Sequence, residues 1–297
     1  MILVVGATGI LGSEICSHLR RAHATVRALV RQSANPNRLA VLGNAGVEQC
    51  IGDLKDPASL RRACEGVEAV ISTASSTLSR QDGDSIETVD RVGQLSLIEA
   101  ARTAGVEHFT LISIPRRPMR QSPLTRAKAE VERTLVASGL DYTILGANFF
   151  MEVWLSPALG FDFPHHKAVI FGDGNARNSW ISYHDVAKFA VRSHETPAAC
   201  NQHFEIGGPQ DLSPLDVAAV FETVSGKAFE KQFVPESALL LQLEQANDPL
   251  AETFLKLQLE YAHGSVMDSS EALRAMPLNL RTVAQYAAEV LSQSVPA

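Results

Sequence analysis

With 297 residues, 45% of them hydrophobic, the chain is long enough for one large α/β domain or for one domain with a smaller lobe. A formal net charge of -7 and a pI near 5.7 argue against general affinity for nucleic acid or for an anionic membrane. Four cysteines, Cys16, Cys50, Cys64 and Cys200, show neither C-x-x-C nor metal-ligand spacing; they read as reduced packing residues, and no metal is expected.

The apolar run Ile2 to Val5 reads as a strand that begins at once, without a leader, and no apolar run reaches the roughly 18 residues of a membrane span. A cytoplasmic chain is the expectation. Glycines follow at Gly6, Gly9 and Gly12, and then a helical pattern through Ile15 and Leu19. Strand, glycine turn and helix in that order form the context that binds a dinucleotide. Gly6 permits unusual backbone angles, Gly9 lets the main chain approach a pyrophosphate, and Gly12 lets helix and strand pack closely. Further strands are expected at 25–30, 47–51, 67–72, 108–113 and 141–145. Helices are expected from Pro36, from Pro57 with Asp56 as its cap, through Val89, Val92, Leu95, Ile98 and Ala101, and over 125–137. Such alternation predicts a Rossmann-type, doubly wound parallel sheet with helices on both faces.

The rhythm changes near residue 146. A segment rich in Phe, Pro and His precedes a turn at Gly172-Asp173-Gly174-Asn175. A helix is expected over 183–193, started by Ser182 or helped by Asp185, and a short strand over 204–206. The remainder reads as mainly helical: 214–224, 236–259 with a break near Pro249, and 282–292. The expected organisation is a nucleotide-binding domain over 1–147, rejoined by 178–206. A smaller substrate-binding lobe would comprise 148–177 and 207–297.

The end of the second strand discriminates between nicotinamide coenzymes. An acid there holds a ribose 2′-hydroxyl, and a cation holds a 2′-phosphate. Here the strand ends on Val30-Arg31 with no acid following in sequence, so Arg31 is the candidate for the phosphate, against an ordinary exposed loop arginine. Asp53 and Leu54, after the third strand, suit an adenine amino group and ring face, or a helix start. Thr73, Ala74 and Ser75 are small enough for a backbone passing close to a ribose, or for a plain loop. Ser113 ends the fifth strand, and Lys128 lies on the next helix, where it can hold a nicotinamide ribose and shift the proton affinity of a nearby acid, or is merely solvated. Arginine pairs at 20–21, 61–62 and 116–117 read as solvated faces.

Together, Gly6-Ala-Thr-Gly-Ile-Leu-Gly12, Val26 to Arg31, Gly52-Asp53-Leu54, Ser113, Lys128-Ala-Glu130, Ser138 to Leu145, Asn148 to Met151 and Ile181 to Ala187 resemble the atypical short-chain dehydrogenase/reductase superfamily. The likeness is to its NmrA-like and isoflavone-reductase-like branch and spans about residues 1–210. It implies NADP(H) binding, with Gly6, Thr8, Gly9, Ile10, Leu11 and Gly12 at the pyrophosphate. It also places Arg31 at the 2′-phosphate, Asp53 and Leu54 at adenine, Lys128 at the nicotinamide ribose, and Asn148 and Phe149 near the nicotinamide. One departure concerns the Tyr-x-x-x-Lys pair common in short-chain dehydrogenases: Leu124 stands where the tyrosine would be.

Phe149, Phe150, Met151, Trp154, Leu155, Phe161 and Phe163 read either as small-lobe core or as the wall of a site for an apolar or aromatic substrate. His165 and His166 read as a loop pair or as a proton donor. The leading expectation is NADPH-dependent reduction of a small apolar carbonyl, quinone or enone, with Lys128 and then Ser113 as catalytic residues. The alternatives are a non-catalytic NADP(H)-sensing regulator and an isomerase or epimerase using bound coenzyme. Oligomeric state is not legible.

Overall fold

The computed structural model describes residues 1–78, 80–116 and 121–293; Arg117 of the 116–117 pair lies outside them. Strand β1 (Ile2–Val5) is buried along its length. Ile2 and Val4 enter one apolar cluster while Leu3 and Val5 enter the other, as a continuous apolar run must when helices cover both faces of a parallel sheet. There follow α1 (Ile10–Arg21), β2 (Val26–Val30), α2 (Pro36–Asn44), β3 (Glu48–Ile51), α3 (Pro57–Cys64) and β4 (Ala69–Ser72). A π-helix (Ile86–Gly93) then runs into α4 (Gln94–Thr103), β5 (His108–Ser113), α5 (Pro123–Ala137), β6 (Asp141–Ala147) and α6 (Met151–Trp154).

The later elements are β7 (Phe161–Asp162), β8 (Lys167–Phe171), β9 (Asn178–Ser179), α7 (Tyr183–Ser193), β10 (Gln202–Ile206) and β11 (Asp211–Leu212). After them come α8 (Pro214–Ser225), β12 (Glu230–Val234), α9 (Glu236–Gln245), α10 (Pro249–His263), α11 (Ser270–Ala275) and α12 (Val283–Gln293).

The central sheet has seven strands in the order β10-β6-β5-β4-β1-β2-β3, and every pairing is parallel. This is the Rossmann-type α/β fold. The strand order reverses between β1 and β4, and ligands of open α/β sheets bind at such a switch point. The chain returns to this sheet late: α7 packs on α1, and β10 pairs with β6 through Gln202–Ile206 against Thr143–Ala147. Ala272 and Met276, in and just after α11, also join the cluster under α1 and α7.

A second core lies around β7, β8 and β12. It holds Phe149, Met151, Leu155, Phe161, Trp180, Phe221 and Tyr261. The aromatic segment is thus largely interior, with Phe150, Trp154 and Phe163 half-buried.

The structure departs from the pattern expectations in two places. The long helix after β4 begins with π turns, which add a residue per turn and shift the buried stripe. Val92 is consequently exposed, whereas Asp90 and Gln94 are fully buried. The region after residue 206 is less purely helical than expected: β12 pairs in parallel with β8, and β11 pairs with β9. Strand β12 reads Glu-Lys-Gln-Phe-Val, with too few apolar residues for a pattern signal, and Phe233 itself is exposed.

Helix starts are capped as their residue types dictate. Asp56 accepts from the Ala58 amide at 3.0 Å, and Ser182 from the His184 amide at 3.2 Å. Asp185 instead accepts from Lys188 and the Arg281 amide. All four cysteines are free thiols, and burial pushes Cys16 up to about 12 and Cys64 up to about 11. Among the described residues no helix is long and apolar enough to cross a membrane, and no group of side chains is set to hold a metal.

Candidate functional site

The glycine turn joins β1 to α1 at the switch point. Gly6 has φ +87°, and a Cβ there would lie 2.5 Å from Thr73 Oγ1 and 2.9 Å from the Ala74 nitrogen. A Cβ on Gly12 would lie 2.2 Å from the Gly6 oxygen, so the start of α1 is pressed onto the turn. Gly9 is the exposed N-cap of α1, with no side-chain cap and no acid in the first turn. The first-turn amides of a helix lack intrahelical partners and carry its positive dipole end, so this open cradle fits a pyrophosphate. Thr8 and Ile10 are half-buried beside Gly9, while Leu11 and Gly12 lie behind it in the interior.

Around this turn stand the ends of β2, β3 and β4. Arg31 is half-buried, but it is not a lone cation: its Nη1 donates to Asp84 at 2.5 Å. The acid absent from the strand end in sequence arrives from the loop after β4. Asp53 accepts from the Lys55 amide at 2.8 Å through Oδ1 and lies 4.0 Å from the Lys55 ammonium through Oδ2. Leu54 is buried, with its Cβ against Gly93 of the π-helix.

Thr73, Ala74 and Ser75 are half-buried and held from below. Gln94 accepts from the Ser72 hydroxyl at 2.9 Å and donates to the Ala74 carbonyl at 3.0 Å. Asp90 accepts from the amide and hydroxyl of Ser76. Sequence reasoning missed Lys55, Asp84, Asp90 and Gln94. The last two left a signal: two polar residues on the buried side of an apolar helical stripe. Asp84 left none, being 53 residues from its partner.

Beyond β5, a Ser122–Thr125 capping box starts α5. Its inner face carries Leu124, Ala127, Lys128, Val131, Glu132 and Leu135, all buried. Lys128 is 5% exposed, and its Nζ donates to the Ile112 carbonyl at 3.3 Å. Burial lowers the lysine's pKa, and the charges of Asp90 and Glu132 oppose that shift. Leu124 sits in a small apolar cluster with Ile86 and Ala127 and has no proton to donate.

Ser113 donates its hydroxyl to Glu132. Glu132 also accepts from Arg116 Nε at 3.0 Å, so Arg116 is tied into the site and is not merely solvated. His203 stands 3.8 Å from Glu132 and 3.1 Å from Glu205, and Glu205 accepts the Arg116 amide at 2.8 Å. Glu132 was legible as the residue four beyond Lys128 on the same helical face. His203 and Glu205 sit on the strand positions opposite to Phe204 and Ile206, which alternation alone leaves ambiguous.

Asn148 and Phe149 directly follow β6. The Asn148 amide donates to the Ser179 and Ser265 carbonyls at 3.0 and 2.7 Å, and its oxygen accepts from the Ser265 hydroxyl at 2.5 Å. Its side chain therefore ties the chain after β6 to β9 and to the segment that follows α10. Phe149 packs among Trp154, Trp180 and Tyr261, with ring centroids 4.6, 6.0 and 6.2 Å away. His165 is exposed and bonded to Asp162, and His166 packs on Phe229; both belong to the β7–β8 corner. Surface hollows of about 480 and 780 Å³ lie elsewhere and touch none of these residues.

The model of the NmrA-like family matches residues 1–287. The chain belongs to that family. Among its relatives is the NAD(P)H azoreductase of Xenophilus azovorans, 30% identical over 97% of this chain and 96% of the azoreductase. The isoflavone reductase homolog of Zea mays is 31% identical over 84% of this chain and 82% of its own. Among solved structures, the NADPH-dependent quinone oxidoreductase of Escherichia coli complexed with NADPH superposes with a TM-score of 0.79 at 24% identity. That match covers 98% of this chain and 100% of the other, and it speaks for the fold. In this NmrA-like chain the glycine turn and Lys128 both fall within the residues that the family model matches.

Proposed function

We propose that the chain is an NADPH-dependent reductase of a small aromatic or apolar carbonyl, quinone, enone or azo compound. The coenzyme is NADP(H), held by the glycine turn with Thr8, Gly9 and Ile10 at the pyrophosphate. Arg31 serves the 2′-phosphate, Asp53, Leu54 and Thr73 to Ser75 serve the adenosine side, and Lys128 serves the nicotinamide ribose. Asn148 orders the main chain at the nicotinamide end, and Phe149 backs it with an apolar wall. Of the relatives that span most of this chain, one is named an NAD(P)H azoreductase and another an isoflavone reductase homolog, and that supports the substrate class.

The observation that carries the reaction is Lys128, buried at the end of β5, where its ammonium donates to the Ile112 carbonyl and feels the charges of Asp90 and Glu132. Bound NADPH supplies the hydride. The lysine ammonium donates to the substrate oxygen or nitrogen that gains charge, and its burial makes proton release easier than from a solvated lysine. Glu132 holds a compensating charge beside it. Ser113 acts through Glu132, which already engages its hydroxyl. The apolar surroundings strengthen each of these electrostatic contacts by excluding water.

The test is purified protein with NADPH and a panel of quinones, enones and azo dyes, followed by loss of the reduced-nicotinamide absorbance. Turnover that Lys128→Ala reduces by roughly 100-fold or more supports the enzyme, since a positioned acid contributes that much. Leu124 favours a second reading, a redox sensor that binds NADP(H) without turnover. Tight coenzyme binding with no oxidation across the panel decides for the sensor.

A further inference from the structure

The loop between β4 and the π-helix carries Asp84, whose side chain is only 2% exposed although it lies at the edge of the site. Its carboxylate bridges two cations: Arg31 Nη1 donates to Oδ2 at 2.5 Å, and Lys55 Nζ donates to Oδ1 at 2.6 Å. The Gln81 amide adds a third bond to Oδ2 at 2.9 Å. A strap beside it joins Ser33 Oγ to Gln81 Oε1 at 2.6 Å. Arg31 follows β2 and Lys55 follows β3, strands two and three places from β4 in the sheet. The loop therefore reaches across to carry an anion onto both cations. Burial pushes the Asp84 carboxyl up, but the bonds from Lys55, Gln81 and Arg31 outweigh it and hold the group below the usual carboxylate range.

Resting on the assignment of Arg31 to the 2′-phosphate, we propose that Asp84 is a specificity-determining residue. It competes with that phosphate for Arg31 and Lys55 and lowers the preference for NADPH over NADH. Arg31 and Lys55 are offset by Asp84 and by Asp53, which lies 4.0 Å from the Lys55 ammonium. The cluster therefore offers a net charge of about zero to a monoester that carries about -1.5 to -2 near neutral pH. Asp84 holds Nη1, so a phosphate that takes the remaining Nε and Nη2 donors of the Arg31 fork sits beside Asp84 as a like charge, and one that takes Nη1 must displace it. NADH carries a neutral 2′-hydroxyl and meets no such penalty. Asp84 thus acts on one coenzyme far more than on the other.

The experiment is calorimetric titration of the full chain and of Asp84→Asn with NADPH and with NADH, with no substrate and no turnover. Asparagine keeps the size and an acceptor but removes the charge. The ratio of the NADH Kd to the NADPH Kd is expected to rise about tenfold in Asp84→Asn, the scale of one charge-assisted bond. NADPH should bind more tightly, whereas NADH, whose 2′-hydroxyl an acid can hold, should not. A ratio unchanged within about twofold, or an equal shift for both coenzymes, overturns the proposal. If the unmodified chain binds neither coenzyme, the coenzyme assignment itself fails; normal binding with an unmoved ratio sinks only the role of Asp84. Asp84→Ser, which also removes the charge, is read in the same way and decides the matter should Asp84→Asn not fold, while Lys55→Gln, with the ratio expected to fall, checks that Lys55 faces the phosphate.

Discussion

Asp90 holds Ser76 twice, accepting its amide at 3.0 Å and its hydroxyl at 2.7 Å on the same carboxylate oxygen. The π turn places Asp90 inside the fold, and through this contact it fixes the loop that leaves β4 beside the glycine turn. The other oxygen, Oδ1, is buried with no hydrogen-bond partner among the described residues, and the charge bears on Lys128. Asp90→Ala leaves both Ser76 donors buried and unpaired. It should cost about 2–3 kcal/mol of stability, read as a lower urea midpoint, and should loosen coenzyme binding as well. A midpoint equal to that of the unmodified chain would show that Asp90 is not what holds the loop.

Lys128 makes stability depend on pH with a definite sign. Burial is the largest influence on it and lowers its pKa beneath the ordinary 10.5, with Asp90 and Glu132 pulling the other way. In the window below 10.5 the unfolded chain therefore binds more protons than the folded one, and stability rises with pH. Lys128→Met has nothing to titrate there, so its urea midpoint should lose that rise and lie higher at neutral pH. The same lysine, acting as a proton donor, should make kcat/KM fall on the alkaline side before an ordinary lysine would deprotonate. A variant whose stability profile parallels the unmodified chain would rule out the buried-lysine account.

Legibility followed locality. The strand, glycine turn and helix from Ile2 to Arg21 could be read because each step depends on neighbours in sequence. The same holds for β5, found at 108–113, and for the α5 face that carries Lys128. Asp84 was unreadable because its bond to Arg31 depends on how far a loop reaches across the sheet. Asp90 and Gln94 were visible only as polar residues out of place in an apolar stripe, and the π turns explain why they point inward. Strand β12 escaped notice because Glu230 to Val234 gains its order from pairing with β8 and not from an apolar face of its own.

Gly12 offers a test of the turn as a mechanical object. A Cβ there would stand 2.2 Å from the Gly6 oxygen and 2.7 Å from the Gly6 carbon, backbone atoms that cannot rotate away. Gly12→Ala must push α1 off the turn, at a cost of about 1–3 kcal/mol, and should weaken NADPH binding at least as much as it lowers thermal stability. Gly9→Ala is the control, because its Cβ would meet only the Gly6 oxygen at 3.2 Å and is otherwise open. Equal melting temperatures for the two variants would contradict the difference in packing.

Ser113 and Lys128 make separable claims on the reaction. The Ser113 hydroxyl is committed to Glu132, which also takes Arg116 at 3.0 Å and lies near His203. Ser113→Ala removes one of these donors but leaves Arg116 in place. The influence of Glu132 on Lys128 should then loosen rather than vanish. Turnover is expected to fall by about tenfold or less, well short of the loss in Lys128→Ala, with stability reduced by about 1–2 kcal/mol. The alkaline limb of kcat/KM should move in Ser113→Ala, because the carboxylate beside the lysine has been repositioned. A hydroxyl that met the substrate directly would behave differently: kcat would drop by roughly 100-fold or more with that limb unmoved.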